Sequence, residues 1–247
     1  MIFVALFLLC PSLLTLGALR HVSAVEFFPQ GSMPFGKSYD DWAAKYWNWD
    51  VGMNTDQATP KPGGCVINSS NQLVMLLETA DVTTPPTQSC QISANQGIIV
   101  PLWIGWCDTG SSRNFTEEQL ALCAKQQNLG NIGSVVKVEG VPIAKLDASQ
   151  TVNPGGKSVN YAVNSLANVT KFTSKQFTLT IPANTHKPNQ VTGTWHAVSD
   201  GWWVFLKPLS PGQHTIFYNI RVAPTGALTS PGTSPHFADI IYNLQVK

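Results

Sequence analysis

Indoles, carboxylates and imidazoles are the groups in this chain with the chemistry for a site. Ser38 to Asp50 reads SYDDWAAKYWNWD, which places three tryptophans and two tyrosines in thirteen residues. Exposed indoles stack on the apolar faces of sugars, so Trp47, together with Trp103 and Trp106 further along, is a candidate glycan platform with Asp50 as its polar neighbour. Two carboxylates flanking a glycosidic bond would instead cleave it, one as acid and one as base or nucleophile. Asp50, Glu78 and Asp108 are available for that role, but no spacing selects them from the other acids. Histidines raise the question of a metal. In the strand register expected below, His196 and His214 lie two strands apart and roughly 12 Å from one another, too far to share an ion. His186 and His236 fall in expected loops. There is no G-x-S-x-G elbow, no H-E-x-x-H and no phosphate-cradling glycine loop, so no catalytic residue, metal or cofactor is assigned.

Five cysteines occur, one of them, Cys10, inside the first apolar run. The remaining four, Cys65, Cys90, Cys107 and Cys123, allow three pairings in an oxidising compartment. We expect neighbours to pair, Cys65 with Cys90 and Cys107 with Cys123, each bond stapling one local excursion. A zinc site is the alternative, and no C-x-x-C or H-x-x-x-H spacing supports it. Asn68-Ser-Ser, Asn114-Phe-Thr and Asn168-Val-Thr are acceptor triplets for glycosylation in polar, turn-rich places.

These residues need a compartment and a scaffold. Met1 to Leu19 is almost wholly apolar and is followed by Arg20, His21 and the small residues Val22-Ser23-Ala24, the pattern of a secretory leader. Residues 1–24 are therefore read as a signal peptide, and 25–247 as a single domain. Pro11 within the run and the peptidase-like ending favour cleavage over a retained anchor, and no later run is long enough to span a membrane. The leader holds one basic residue, Arg20, so of 15 basic and 14 acidic residues in the whole chain equal numbers remain. A neutral chain with 12% charged residues has no electrostatic footprint for nucleic acid or anionic lipid. Low charge with 17 Pro and 19 Gly points to strands and turns.

Ser38 with Asp41 three residues on forms a capping box, and Gly52 is the expected C′ residue. At 100° per residue, Tyr39, Trp42, Ala43, Tyr46, Trp47 and Trp49 share one arc of the helix between them. Asp50 falls inside that arc. At the helix end it is expected to fray from the face; the other reading is a carboxylate held beside rings. A second box, Thr116 with Gln119, opens the helix EEQLALCAKQQN, which carries Cys123.

LVMLL from Leu73 and IIVPLWIGW from Ile98 read as strands covered on both faces. VVKVEGV is a hairpin turning at Glu139-Gly140, FTLTI from Phe177 alternates cleanly, and Ile240 to Val246 is the expected last strand. Leu146 to Ser174 lacks a period and reads as long loops. TWHAV, the turn SDG, WWVFL, the loop KPLSPGQ and HTIFYNIRV read as a three-stranded antiparallel meander. In that register Ala197 opposes Trp203 and Leu206 opposes His214. One face carries His196, Trp202, Val204, Leu206, His214, Ile216 and Tyr218; the other carries Trp195, Ala197, Trp203, Phe205, Thr215 and Phe217. Both faces are apolar, so the sheet needs a cover on each side, and the aromatic helix is suited to be one of them.

YDDWAAKYWNW near the start, EEQLALCA, VEGVP and VSDGWWVFLKPLSPGQHTI near the end occur in the same order, and with the same aromatic spacing, as in a family of secreted, functionally uncharacterised proteins of archaea and bacteria, which this chain resembles over most of its length. The resemblance implies a secreted all-β fold and supplies no activity.

The expected fold is all-β: an antiparallel β-sandwich, jelly-roll or Ig-like, with an N-terminal aromatic helix and one short disulfide-linked helix. The expected function is that of a secreted or cell-surface noncatalytic protein that binds a ligand, with a glycan or cell-surface component as partner. A structural envelope or matrix component and an extracellular carboxylate-dependent hydrolase are the alternatives.

Overall fold

Ser38 starts the first helix, α1 (Tyr39–Gly52), as its side chain and backbone exchange hydrogen bonds with Asp41. This element comes from a computed structural model, which describes residues 24–59, 61, 63–70, 72–77, 87–111, 114–128, 130–152, 159–163, 168–187, 189–223 and 236–247. The expected leader lies outside the described residues except for Ala24. Gly52 is the last helical residue rather than a left-handed cap, because the chain leaves through extended Met53. A one-turn helix, α2 (Thr55–Ala58), follows, and α3 (Glu117–Gln127) begins at the expected Thr116–Gln119 box.

The remaining elements are strands: β1 (Ile67–Ser69), β2 (Leu73–Leu76), β3 (Thr87–Ile92), β4 (Gly97–Asp108), β5 (Gly130–Val138), β6 (Val141–Val152), β7 (Val159–Val163), β8 (Thr170–Thr173), β9 (Phe177–Ile181), β10 (Gly193–Leu206), β11 (Gly212–Ala223) and β12 (His236–Val246). One sheet runs β1-β2-β4-β10, with β8 and β9 sharing the far edge of β10. The second runs β3-β12-β11-β5-β6-β7. Val74, Val100, Trp202, Val204 and Leu206 of the first sheet meet Val136, Leu146, Ile216, Tyr218 and Tyr242 of the second in one buried core. The rings of Tyr218 and Tyr242 stack there, and the Tyr218 hydroxyl donates to the Leu77 carbonyl. Burial pushes the Tyr242 phenol well above its ordinary range.

The opposite face of the first sheet belongs to α1. Tyr39, Trp42, Tyr46, Trp47 and Val51 pack on Met75, Ile99, Leu179, Trp203 and Phe205, so the architecture is three-layered, helix on sheet on sheet. Three of the α1 rings enclosed there keep their polar atom bonded: Trp42 Nε1 donates to Pro34 O at 3.0 Å, Trp47 Nε1 to Ser199 Oγ at 2.7 Å, and Tyr39 OH to Pro29 O at 2.6 Å. That removes the cost that would otherwise offset burial of an indole or phenol.

Several expectations need correction. The sandwich is built of two mixed sheets rather than purely antiparallel ones, because β2 runs parallel to β4 and β3 parallel to β12. The SDG triplet is no turn. Residues 193–206 form one strand, and Ser199, Asp200 and Gly201 lie buried within it. Turn residues are tolerated there for packing reasons. A Cβ on Gly201 would stand 2.6 Å from Ile104 Cγ2, while Ser199 accepts from Trp47 of α1 and Asp200 from Asn128 at the end of α3. The KPLSPGQ loop does not join neighbouring strands either; it crosses from one sheet to the other, so Leu206 does not pair with His214. The expected face assignment nonetheless survives in part. Trp202, Val204 and Leu206 share the inter-sheet core with Ile216 and Tyr218, and Ala197, Trp203 and Phe205 face α1. Finally, the span from Leu146 contains the end of β6 and all of β7 and β8 rather than long loops. Within the described residues of this span, β6 and β7 pair in the second sheet, while β8 pairs with β10 in the first.

Pro101 explains an irregularity in β4. It lacks an N–H, and the register against β10 shifts there, with Trp202 opposite Trp103 and Trp203 opposite Pro101.

Candidate functional site

α1, docked ring-side down, buries the residues that composition marked for ligand binding. Trp47 is 2% exposed, and its ring centroid lies 4.3 Å from that of Trp106. Trp106 is half-buried and donates through Nε1 to Asp108 Oδ2 at 3.0 Å. Trp103, also half-buried, packs on the inter-sheet core instead. The structure therefore brings Trp47 and Trp106 together and leaves Trp103 on the other face of the sheet. Neither face of the Trp47 ring is open to a sugar while α1 is docked.

Asp50 does not fray from the helix. It is 1% exposed and held between two cations or donors from the turn after β9. His186 Nε2 lies 2.9 Å from Asp50 Oδ1 and 2.9 Å from its carbonyl oxygen, and Lys187 Nζ lies 2.9 Å from Oδ2. Both neighbours of Nε2 are acceptors, so that nitrogen carries the proton. The His186 backbone N–H donates to Met53 O at 2.8 Å, which fixes the turn against the end of α1. Lys187 Nζ also sits 6.0 Å from the Trp47 ring centroid. Asp50 is thus a carboxylate held beside rings, tying a helix end to a remote turn. Sequence reasoning placed His186 in a loop but gave it no partner, because 136 positions separate it from Asp50.

The remaining candidate acids are placed differently. Asp108 is 2% exposed and accepts from Trp106 Nε1 and from the Ser111 backbone N–H at 2.8 Å, an arrangement that closes the turn after β4. Glu78 lies outside the described residues. Among the described residues, Asp50 and Asp108 are both engaged in structural hydrogen bonds, and no group of three His, Cys, Asp or Glu side chains is placed to hold a metal.

Both expected disulfides are present, Cys65–Cys90 and Cys107–Cys123. The second ties α3 to β4. Of the acceptor asparagines, Asn68 is half-buried on β1 and Asn114 is exposed with φ 69°. Asn168 is half-buried, and its side-chain nitrogen donates to Ile143 O at 2.8 Å.

An open cleft of about 930 Å³ lies away from the rings, where the loop after β10 crosses between the sheets. The incoming segment forms one wall: Phe28 N–H donates to Phe205 O at 3.0 Å, and Lys207 N–H to Glu26 O at 2.9 Å. The β5–β6 turn forms another. Its residues Glu139 and Gly140 have φ 51° and 76°, the pair of left-handed conformations that a two-residue hairpin turn demands. Val25, Val138 and Leu209 supply apolar lining, and Glu26, Glu139, Lys207 and His214 supply polar groups. The Lys207 ammonium, 2.7 Å from Glu26, holds that carboxyl below the usual carboxylate range. His214 Nε2 donates to Ser210 O at 2.7 Å, and its Nδ1 lies 3.3 Å from Glu139 Oε1. Nothing in the aromatic content marks this cleft, and the KPLSPGQ loop beside it reads locally only as a connection between strands.

The fold and these sites define a disulfide-linked, two-sheet mixed β-sandwich with a helix on one face. No family model, curated protein or solved structure matches the chain.

Proposed function

We propose that this is an extracellular, noncatalytic ligand-binding protein, and that its ligand sits in the cleft beside the Lys207–Gln213 loop rather than on the tryptophans. The cleft carries the reading: about 930 Å³ lies within the range of small-molecule sites, and apolar and charged groups converge on it. A short oligosaccharide suits this lining. Its hydroxyls would pair with Glu139, Glu26 and His214, and its C–H faces would rest on Val25, Val138 and Leu209. The resemblance to a secreted family, the two disulfides and the apolar leader all support an extracellular location. Among the described residues no helix is long and apolar enough to cross a membrane.

Titration calorimetry against an oligosaccharide panel tests this. Binding by at least one member, weakened about tenfold or more by H214A or L209R and unchanged by W106A, is the expected result, since one lost polar contact or a filled pocket is worth about 1.4 kcal/mol or more. Binding abolished by W106A but kept by H214A would return the ligand to the indoles. No binding by any member would count against the proposal.

A further inference from the structure

On the inner face of the first sheet one buried carboxylate contacts both a largely enclosed amine and a buried carboxamide. Asp200, 0% exposed, sits in the middle of β10 opposite Thr173, whose Oγ1 donates to Asp200 Oδ1 at 2.8 Å. Lys171, two residues back on β8, places its Nζ against the other oxygen, Asp200 Oδ2, and 5.4 Å from the Trp202 ring centroid. Asn128 closes α3 and is 0% exposed; its Nδ2 donates to the same Oδ2 at 3.1 Å and to the Asp200 carbonyl at 2.8 Å. Gly105, paired with Asp200 on β4, makes the approach possible: a Cβ there would stand 3.2 Å from Asn128 Oδ1. Gln150 on β6 holds the group from the second sheet, donating to Asn128 O at 3.0 Å and accepting from Trp202 Nε1 at 3.1 Å.

Two observations distinguish this cluster from a plain buried ion pair. A single carboxylate oxygen touches both an amine and a carboxamide nitrogen, which is the position a proton relay between them would occupy. Asn128 Oδ1 is also buried with no hydrogen-bond partner, a cost that native interiors seldom carry without a reason.

We propose that Lys171, Asp200 and Asn128 form an autocatalytic centre that joins Lys171 Nζ to Asn128 Cγ as an intramolecular isopeptide bond. The neutral amine attacks Cγ and forms the new C–N bond. Asp200 Oδ2 takes a proton from Nζ and delivers it to Nδ2. The Cγ–Nδ2 bond then breaks, ammonia leaves and the carboxylate is restored. No oxidant, reductant or cofactor enters the balance. Burial favours the reactive form of the amine, pushing the Lys171 pKa below its ordinary value against the pull of Asp200. The product would fasten α3 to β8, while the Cys107–Cys123 disulfide fastens the same helix to β4.

The test is mass spectrometry of the full chain, produced in a bacterial periplasm to exclude N-glycans and reduced before measurement. After correction for the substitution itself, wild type should be lighter than K171R by about 17 Da, the mass of ammonia. Tandem spectra should contain one branched peptide that links Lys171 to Asn128, and N128A, which keeps the amine, should not show the loss. D200N should leave most of the chain unlinked. The proposal is overturned if folded wild type, its fold checked by circular dichroism, has the full unlinked mass. It is equally overturned if K171R retains the loss, or if the linked partner proves to be Asp200 with loss of water.

Discussion

Removing the Trp47 ring tests whether the aromatic helix holds the sandwich together as its outer layer. Trp47 is 2% exposed, meets the Trp106 ring at 4.3 Å and the Tyr46 ring at 5.5 Å, and donates to Ser199 Oγ at 2.7 Å. An indole buries about 150–250 Å², which at about 25 cal/mol per Å² gives an upper bound of about 4–6 kcal/mol. Measured Trp→Ala costs in cores run about 3–5 kcal/mol. The lost hydrogen bond adds little, because Ser199 Oγ still donates to Gly105 O at 3.1 Å and is not orphaned. W47A should therefore lose about 3–5 kcal/mol in urea unfolding, or about 6–20 °C in Tm for a chain of this size. W49A is the internal control: Trp49 is only half-buried on the same helix, so its truncation should cost clearly less. A W47A loss under about 1 kcal/mol, or a loss no larger than that of W49A, would refute the docking of this face against the sheet.

G201A should destabilise by about 1–3 kcal/mol, because its methyl would meet Ile104 Cγ2 at 2.6 Å in the middle of a strand; near-neutral behaviour in the same urea assay would revive the turn reading of SDG. S38A should cost about 1 kcal/mol of unfolding free energy through the lost cap of α1. Asp41, the other half of that box, has its carboxyl held below the ordinary range by hydrogen bonds from the Ser38 hydroxyl and N–H. A lowered carboxyl stabilises the fold above its unfolded pKa and loses that contribution as pH falls through the folded value, so the contribution should fade below about pH 4. D41N should flatten that acid limb when urea midpoints are followed from neutral pH downward, by a small amount because the group is exposed.

The legible parts of this protein were those encoded between near neighbours. Capping boxes act across three residues, so the starts of α1 and α3 were readable from Ser38 and Thr116. Alternation acts across two, so the inward residues Trp202, Val204 and Leu206 of β10 and Ile216 and Tyr218 of β11 are legible, whereas the strands' partners are not. Short loop closure also made neighbouring cysteines the reasonable pairs, as found. Ser199-Asp200-Gly201 misled because the same three residue types serve a turn or a crowded strand, and only their neighbours decide which.

What residue types and spacing determined, then, was a β-rich, disulfide-linked chain with an aromatic helix suited to cover a two-faced sheet. Only the tertiary structure decided that β10 and β11 lie in different sheets, that Asp50 meets His186 and Lys187, and that Asp200 stands between Lys171 and Asn128. The physical reason is distance along the chain. Contacts between residues 29 to 137 positions apart arise from how strands and layers assemble, and local preference carries no record of that assembly.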